Sequence, residues 1–223
     1  MVTKRQKLEE KETRILAAAR DVFVEFGFEK GRMAEIAKRA GVAEGTVYLY
    51  YQTKKDLVRA VLEQYWARLT REALEALPEG SDTFDQLQAF ARFHLSAFHR
   101  DIDYINMNVA ARTAHQDFEV PMERVRDYVR VFDQLFERGK DRGEIRTTVP
   151  TWVARDMFFG TLEHTARSTL SDDNKDPEAA TANLIALFQA GYTDAVPEKT
   201  SDLAPLVQRL EVAVARLDDL TSS

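Results

Sequence analysis

RMAEIAKRAGVAEGTVYLYY, residues 32–51, is the stretch that decides how this chain folds. Ile36 and Ala40 stand four residues apart and so share one helix face, and Ala37 between them is small enough to let another helix cross closely. Gly41 can take the left-handed conformation that ends a helix and turns the chain sharply. Val42 and Val47 then anchor the turn and the helix after it. Two short helices across such a turn form a helix-turn-helix, whose second helix docks in the major groove of DNA. The pattern predicts helices over about 32–40 and 45–51.

Working outward, the preceding segment predicts a helix over about 12–26, with Ile15, Ala19, Val22, Phe23 and Phe26 on one face and Gly27 beyond its end. On the other side Thr53 reads as the N-cap of helix 4, with Asp56 three residues on completing a capping box. Helix 4 carries Leu57, Val61, Leu62, Tyr65 and Leu69 and stops around Pro78-Glu79-Gly80. Further helices are expected at about 82–99, 102–115, 119–139, 150–170 and 176–192, and no segment alternates as strands do. The fold class is all-α: a three-helix helix-turn-helix head, joined by helix 4 to an antiparallel helical-bundle body for ligand binding and dimerisation. The expected division is 1–53 for the N-terminal arm and head and 54–193 for the body. Residues 194–223 form a linker and an extra amphipathic helix, with Leu203, Leu206, Val207, Leu210, Val214 and Leu217 on one stripe.

Charge follows the same division. The net charge is −6 overall, but residues 1–60 carry 13 Lys and Arg against 9 Asp and Glu, whereas residues 61–223 carry 18 against 28. A basic head suits phosphates and an acidic body repels them. With 44% apolar and 30% charged residues the chain is globular. No run approaches the ~20 apolar residues of a membrane span, and no secretory signal opens the chain. There is no cysteine, and the four histidines, His94, His99, His115 and His164, form no close metal pair. No catalytic triad emerges from the spacing. The expectation is a cytoplasmic regulator, not an enzyme, with no membrane, metal or cofactor.

Within the helix-turn-helix frame the outward residues take roles from their chemistry. Glu44 and Thr46 begin the second helix, where side chains approach base edges; glutamate accepts from cytosine N4, and threonine offers a hydroxyl or a methyl. Tyr48 and Tyr50 suit phosphates or thymine methyls. Lys54 and Lys55 open helix 4, where unpaired backbone N–H groups add to their charge, and Arg32 does the same for helix 2. Lys4, Arg5 and Lys7 are expected to form a loose arm over neighbouring phosphates.

Residues 15–63, above all AEIAKRAGVAEGTVYLYYQTKKDL and the preceding FVEFGF, resemble the N-terminal domain of TetR-family transcriptional repressors. The resemblance implies an all-helical homodimer that reads a palindromic operator in double-stranded DNA and holds a ligand in each body. It places Thr46, Tyr48 and Tyr50 at recognition-helix contacts and Lys54 at a phosphate contact. Two departures stand out: Gly31 replaces the usual Ser or Thr cap of helix 2, and Tyr51 replaces a common phenylalanine, so its hydroxyl needs a partner.

The body is dense in Phe and Met, which can shape an apolar cavity. The expected lining is Phe90, Phe93, Met107, Phe158 and Leu162, with His94, Asn106 and Arg112 orienting a polar head group. ARDMFFGTLEHTARSTL, residues 154–170, and FERGKDRGEI, residues 136–145, are similar to regulators of fatty-acid degradation that release DNA on binding long-chain acyl-CoA. That resemblance implies an acyl chain inside the body and arginines such as Arg92 or Arg112 at its head group. The alternatives are a multidrug-type repressor answering to apolar cations and, in another class, an all-helical enzyme with an incidental basic head. Dimerisation is expected through helices 150–170 and 176–192. The stripe from Leu203 to Leu217 covers that interface or caps the body, and both readings stay open.

Overall fold

The structure is a computed structural model that describes residues 3–114, 118, 120–172 and 174–193; for Lys4, Asn108 and residues 111–114 it describes the backbone alone. Among the described residues there are nine α-helices and no strand. His115 and the stripe from Leu203 to Leu217 lie outside them, and so does the Arg112 side chain.

The chain enters α1 (Lys4–Lys30) earlier than its apolar periodicity suggests, because Thr3 and Gln6 form a reciprocal capping box. Lys4, Arg5 and Lys7 are therefore the first turn of a helix and not a loose arm. Gly27 does end the long part of α1, at φ 75° and ψ 170°. One more turn follows, and it drives Phe28 into the head core. α2 (Met33–Ala40) and α3 (Glu44–Tyr50) flank Gly41, whose φ of 66° and ψ of 40° are left-handed. The Val42 N–H then reaches the Ala37 carbonyl at 3.0 Å, a Schellman closure of the helix end. α4 (Lys54–Glu75) begins in the expected capping box: Asp56 N–H donates to Thr53 Oγ1 (3.1 Å) and Thr53 N–H to Asp56 Oδ2 (3.0 Å).

Beyond α4 come α5 (Thr83–Arg100), α6 (Ile102–Ala114), α7 (Met122–Asp141), α8 (Thr151–Leu170) and α9 (Pro177–Tyr192). α5 runs through the body with α7, α8 and α9 packed around it. Phe90, Phe132, Phe136, Phe158 and Phe188 fill the space between them, and the Phe132 and Phe158 rings lie 4.8 Å apart. Gly139 sets how closely α7 approaches the start of α5: a Cβ there would stand 2.8 Å from both Thr83 Cγ2 and Ile145 Cδ1.

Two hydrophobic cores result. The head core holds Ile15, Val22, Phe23, Ile36, Val47 and the α4 residues Leu57, Val58, Val61 and Leu62. The body core takes over at Tyr65, Leu69 and Ala73 of the same helix. α6 belongs to both units. Its Met107 is buried in the head core, and Tyr104 packs against the head core on one side and the body core on the other. No helix of the described residues is long and apolar enough to cross a membrane.

Candidate nucleic-acid interface and body cavity

α3 turns Val47 fully into the core and leaves Glu44, Gly45, Tyr48 and Leu49 exposed, with Thr46 and Tyr50 half-buried. Tyr50 is partly committed inside the protein, since its hydroxyl donates to the Leu8 carbonyl at 3.3 Å. The Tyr51 hydroxyl finds its partner in Glu12, at 2.9 Å. Burial, and then that carboxylate, push the Tyr51 phenol well up, so it stays a neutral donor. The early turns of α1 thus brace the end of α3. They are structural props before they are anything else.

Arg32 is exposed and stands at the N-cap of α2 without a side-chain cap bond, and Gly31 precedes it as the last residue of the α1 region. Glycine is required there by packing: a Cβ would come within 2.8 Å of the Phe23 ring. Lys54 sits over the Phe28 ring, its ammonium 4.7 Å from the centroid, and donates to the Glu29 carbonyl (2.9 Å) and the Gly31 carbonyl (3.3 Å). Those bonds draw the N-terminus of α4 beside the N-terminus of α2. The uncapped backbone N–H groups that open α2 thereby lie beside the start of α4 with Arg32, Lys54 and Lys55, an arrangement that favours phosphate oxygens.

In the body, α4, α5, α6, α7 and α8 enclose a cavity of about 280 Å³. Its wall includes Tyr65, Trp66, His94, Tyr104, Ile105 and Tyr128, with Val109, Glu163 and Arg167 exposed at the rim. His94 Nδ1 and the Tyr128 hydroxyl are 2.9 Å apart, whereas His94 Nε2 is buried without a hydrogen-bond partner. Burial lowers the His94 pKa to about 4, so the imidazole is neutral at pH 7. The Tyr65 and Tyr104 rings stack with centroids 4.3 Å apart, and the Arg68 guanidinium lies over both. Arg68 also bonds Asp101 (3.2 Å), a mostly buried carboxylate that Arg100 holds at 2.8 Å from the other side. Tyr104 in turn packs against the head core. One side chain therefore touches the cavity, the α5–α6 junction and the head.

Residues 15–61 match the family described as bacterial regulatory proteins, tetR family, and residues 62–189 match the C-terminal region of YsiA-like proteins. The chain belongs to the TetR family. Among its relatives is the fatty acid metabolism regulator protein of Bacillus subtilis, 26% identical over 173 residues, which span 77% of this chain and 89% of that one. The structure of FadR from Bacillus subtilis in complex with stearoyl-CoA superposes with a TM-score of 0.66 at 26% identity, covering 80% of this chain and 98% of that one. The fatty acid degradation regulator FadR from Bacillus halodurans gives 0.62 at 25% identity, covering 80% and 94%.

The TetR-type body nevertheless distributes its side chains differently from the expected lining. Of the seven residues predicted to line the cavity whose side chains are described, His94 does so. Phe90, Phe158 and Leu162 are core, packed among the other rings. Phe93 is half-buried against that core, Asn106 faces outward from α6, and Met107 points into the head. Arg92 is on the surface, ion-paired with Glu178, and the arginine at the rim is Arg167. The sequence signal that went unused is chemical. Phenylalanine has no polar tip and fills a dry core, whereas Tyr, Trp and His need a partner or an opening for theirs and so gather at a cavity wall.

Proposed function

We propose that this TetR-family chain is a repressor that binds a palindromic operator as a homodimer and is released by a long-chain acyl-CoA, controlling fatty-acid degradation genes. The observation that supports it is the position of α6, whose Tyr104 forms part of the cavity wall and packs against the head core, where Met107 of the same helix is buried. At about 280 Å³ the cavity is just below the size of ligand pockets, ~300–1,000 Å³. A long acyl chain must part its walls, α6 among them, while Arg167 at the rim meets the anionic head group. The ligand then favours one spacing of the two heads and the operator another, the latter close to ~34–36 Å for consecutive major grooves. The B. subtilis FadR complex with stearoyl-CoA makes this effector class the first to test. A multidrug-type cationic effector is disfavoured because the one acid among the described wall residues, Glu163, is exposed at the rim.

Homodimerisation is assigned to the outer face of α8 and α9, where Trp152, Met157 and Leu187 are exposed. The exposed Gly160, Ala186 and Ala190 leave room between them for close helix packing.

Selection of DNA fragments by the purified protein, with and without a panel of acyl-CoAs, tests the whole reading. A palindrome is expected, with affinity lowered between about 5- and 150-fold by one ligand class, the usual range of allosteric coupling. Release by cations and not by acyl-CoA would assign the cavity to the multidrug class instead. Against the recovered operator, Lys54→Ala is expected to make the salt dependence shallower by about one unit in each half-site. It should also destabilise the head by about 1 kcal/mol, because the Glu29 and Gly31 carbonyls lose their donor. An unchanged salt slope in titrated salt, beside a lowered melting temperature, would leave Lys54 a structural residue only.

A further inference from the structure

The outermost line of α3 is formed by residues outside the polar set that the chemistry of base reading suggests. Val47 and Tyr51 face the core, so the opposite side of the helix is that of Gly45 and Leu49, one turn apart. Leu49 is 85% exposed, whereas Tyr48 beside it is 46% exposed and Val47 not at all. A Cβ on Gly45 would meet nothing within 4 Å, so no contact inside the protein requires a glycine at this helical position. Glycine is also among the poorest helix formers. A residue that weakens a seven-residue helix without easing any packing fits a surface that something else must approach closely. α3 itself, EGTVYLY, contains no Arg, Lys, Asn or Gln, and so has none of the bidentate groups that read guanine or adenine.

We infer that Gly45 and Leu49 form the ridge that enters the major groove deepest, and that Leu49 reads the operator through the 5-methyl groups of thymine. This rests on the DNA-binding reading above. An isobutyl group has no hydrogen-bond capacity, and of the base edges in the major groove only thymine offers an apolar group to bury it. Gly45, bare of a side chain, lets the backbone come close enough for that contact one turn further along.

The test uses the selected operator with each thymine replaced in turn by deoxyuridine, in both half-sites at once, which removes one methyl and leaves base pairing intact. Burial of one methyl corresponds to about a fourfold change, so wild-type affinity should fall by about fifteenfold at the position read. Leu49→Ala should bind the thymine and uracil operators equally, with the melting temperature of wild type. Gly45→Ala should raise the melting temperature and still weaken DNA binding, an opposition that a purely structural role does not produce. The inference is overturned if no uracil substitution affects the wild type, or if Leu49→Ala keeps the wild-type discrimination. Failure to recover any palindrome would instead remove the DNA-binding reading itself, so the two failures are distinct.

Discussion

Leu187→Arg should leave the protein monomeric and lower its operator affinity by about a hundredfold or more. Leu187 is 71% exposed on α9, the most exposed large apolar side chain of the body helices. Ala186 and Ala190 are exposed beside it on α9, and Met157 and Gly160 are exposed on the neighbouring α8. Among the described residues nothing covers this face, and self-association is the covering that the proposed function requires. A twofold interface presents each substituted residue twice. Two guanidinium groups would therefore enter one apolar contact, and like-charge juxtaposition of this kind costs several kcal/mol, where each 1.4 kcal/mol is a factor of ten. Binding to a palindrome needs both heads, so loss of the dimer and loss of affinity should appear together. Sedimentation velocity and fluorescence anisotropy read the two quantities on one sample. A variant that remains dimeric would assign the interface elsewhere on the body.

Phe158→Ala is expected to destabilise the protein by about 3–5 kcal/mol, the range for removing a fully buried phenylalanine. Phe158 is completely buried and meets Phe90, Phe132, Phe159 and Phe188, so its ring is shared by α5, α7, α8 and α9. Four helices would then face one hole, and none can close it without leaving another partner. For a chain of this size the melting temperature should drop by roughly 6–20 °C. The head core shares none of these rings, so thermal unfolding of the variant should separate into an early body transition and a later head transition, which calorimetry resolves. A loss under about 1 kcal/mol would mean that the rings collapse into the vacated space.

The parts of this molecule that were legible in the sequence are those governed by neighbours along the chain. Gly41 turns α2 into α3, Thr53 and Asp56 cap α4, and the apolar spacing of Ile36, Ala40 and Val47 gives the head its inner faces. Local rules also account for the start of α1. The capping box of Thr3 and Gln6 lies in the sequence, but Leu8 is the one apolar residue between Thr3 and Ile15, so no periodicity draws attention to it. What could not be read locally is which side of a helix faces a void and which faces a core. Phe90 and His94 are four residues apart on α5 and point the same way, yet one is sealed among rings and the other lines the cavity. The difference comes from α7 and α8, tens of residues away. For the same reason Lys54 reads as a phosphate contact from its position alone. Its bonds to Glu29 and Gly31 depend on where α1 ends in space.

The paired arginines on Asp101 bear on how far any movement of α6 can carry. Held at that end by Arg68 and Arg100, α6 behaves as a lever with a fixed fulcrum and an arm of about 20 Å, at 1.5 Å per residue over its 13 residues. A tilt of about 5° shifts its free end by under ~2 Å and Met107, less than halfway along, by under ~1 Å. Close packing in the head core leaves little slack for even that displacement. Tyr104 and Ile105 lie nearer that fulcrum than Met107, so a modest spreading at the cavity wall reaches the head slightly enlarged in amplitude, though still under ~1 Å.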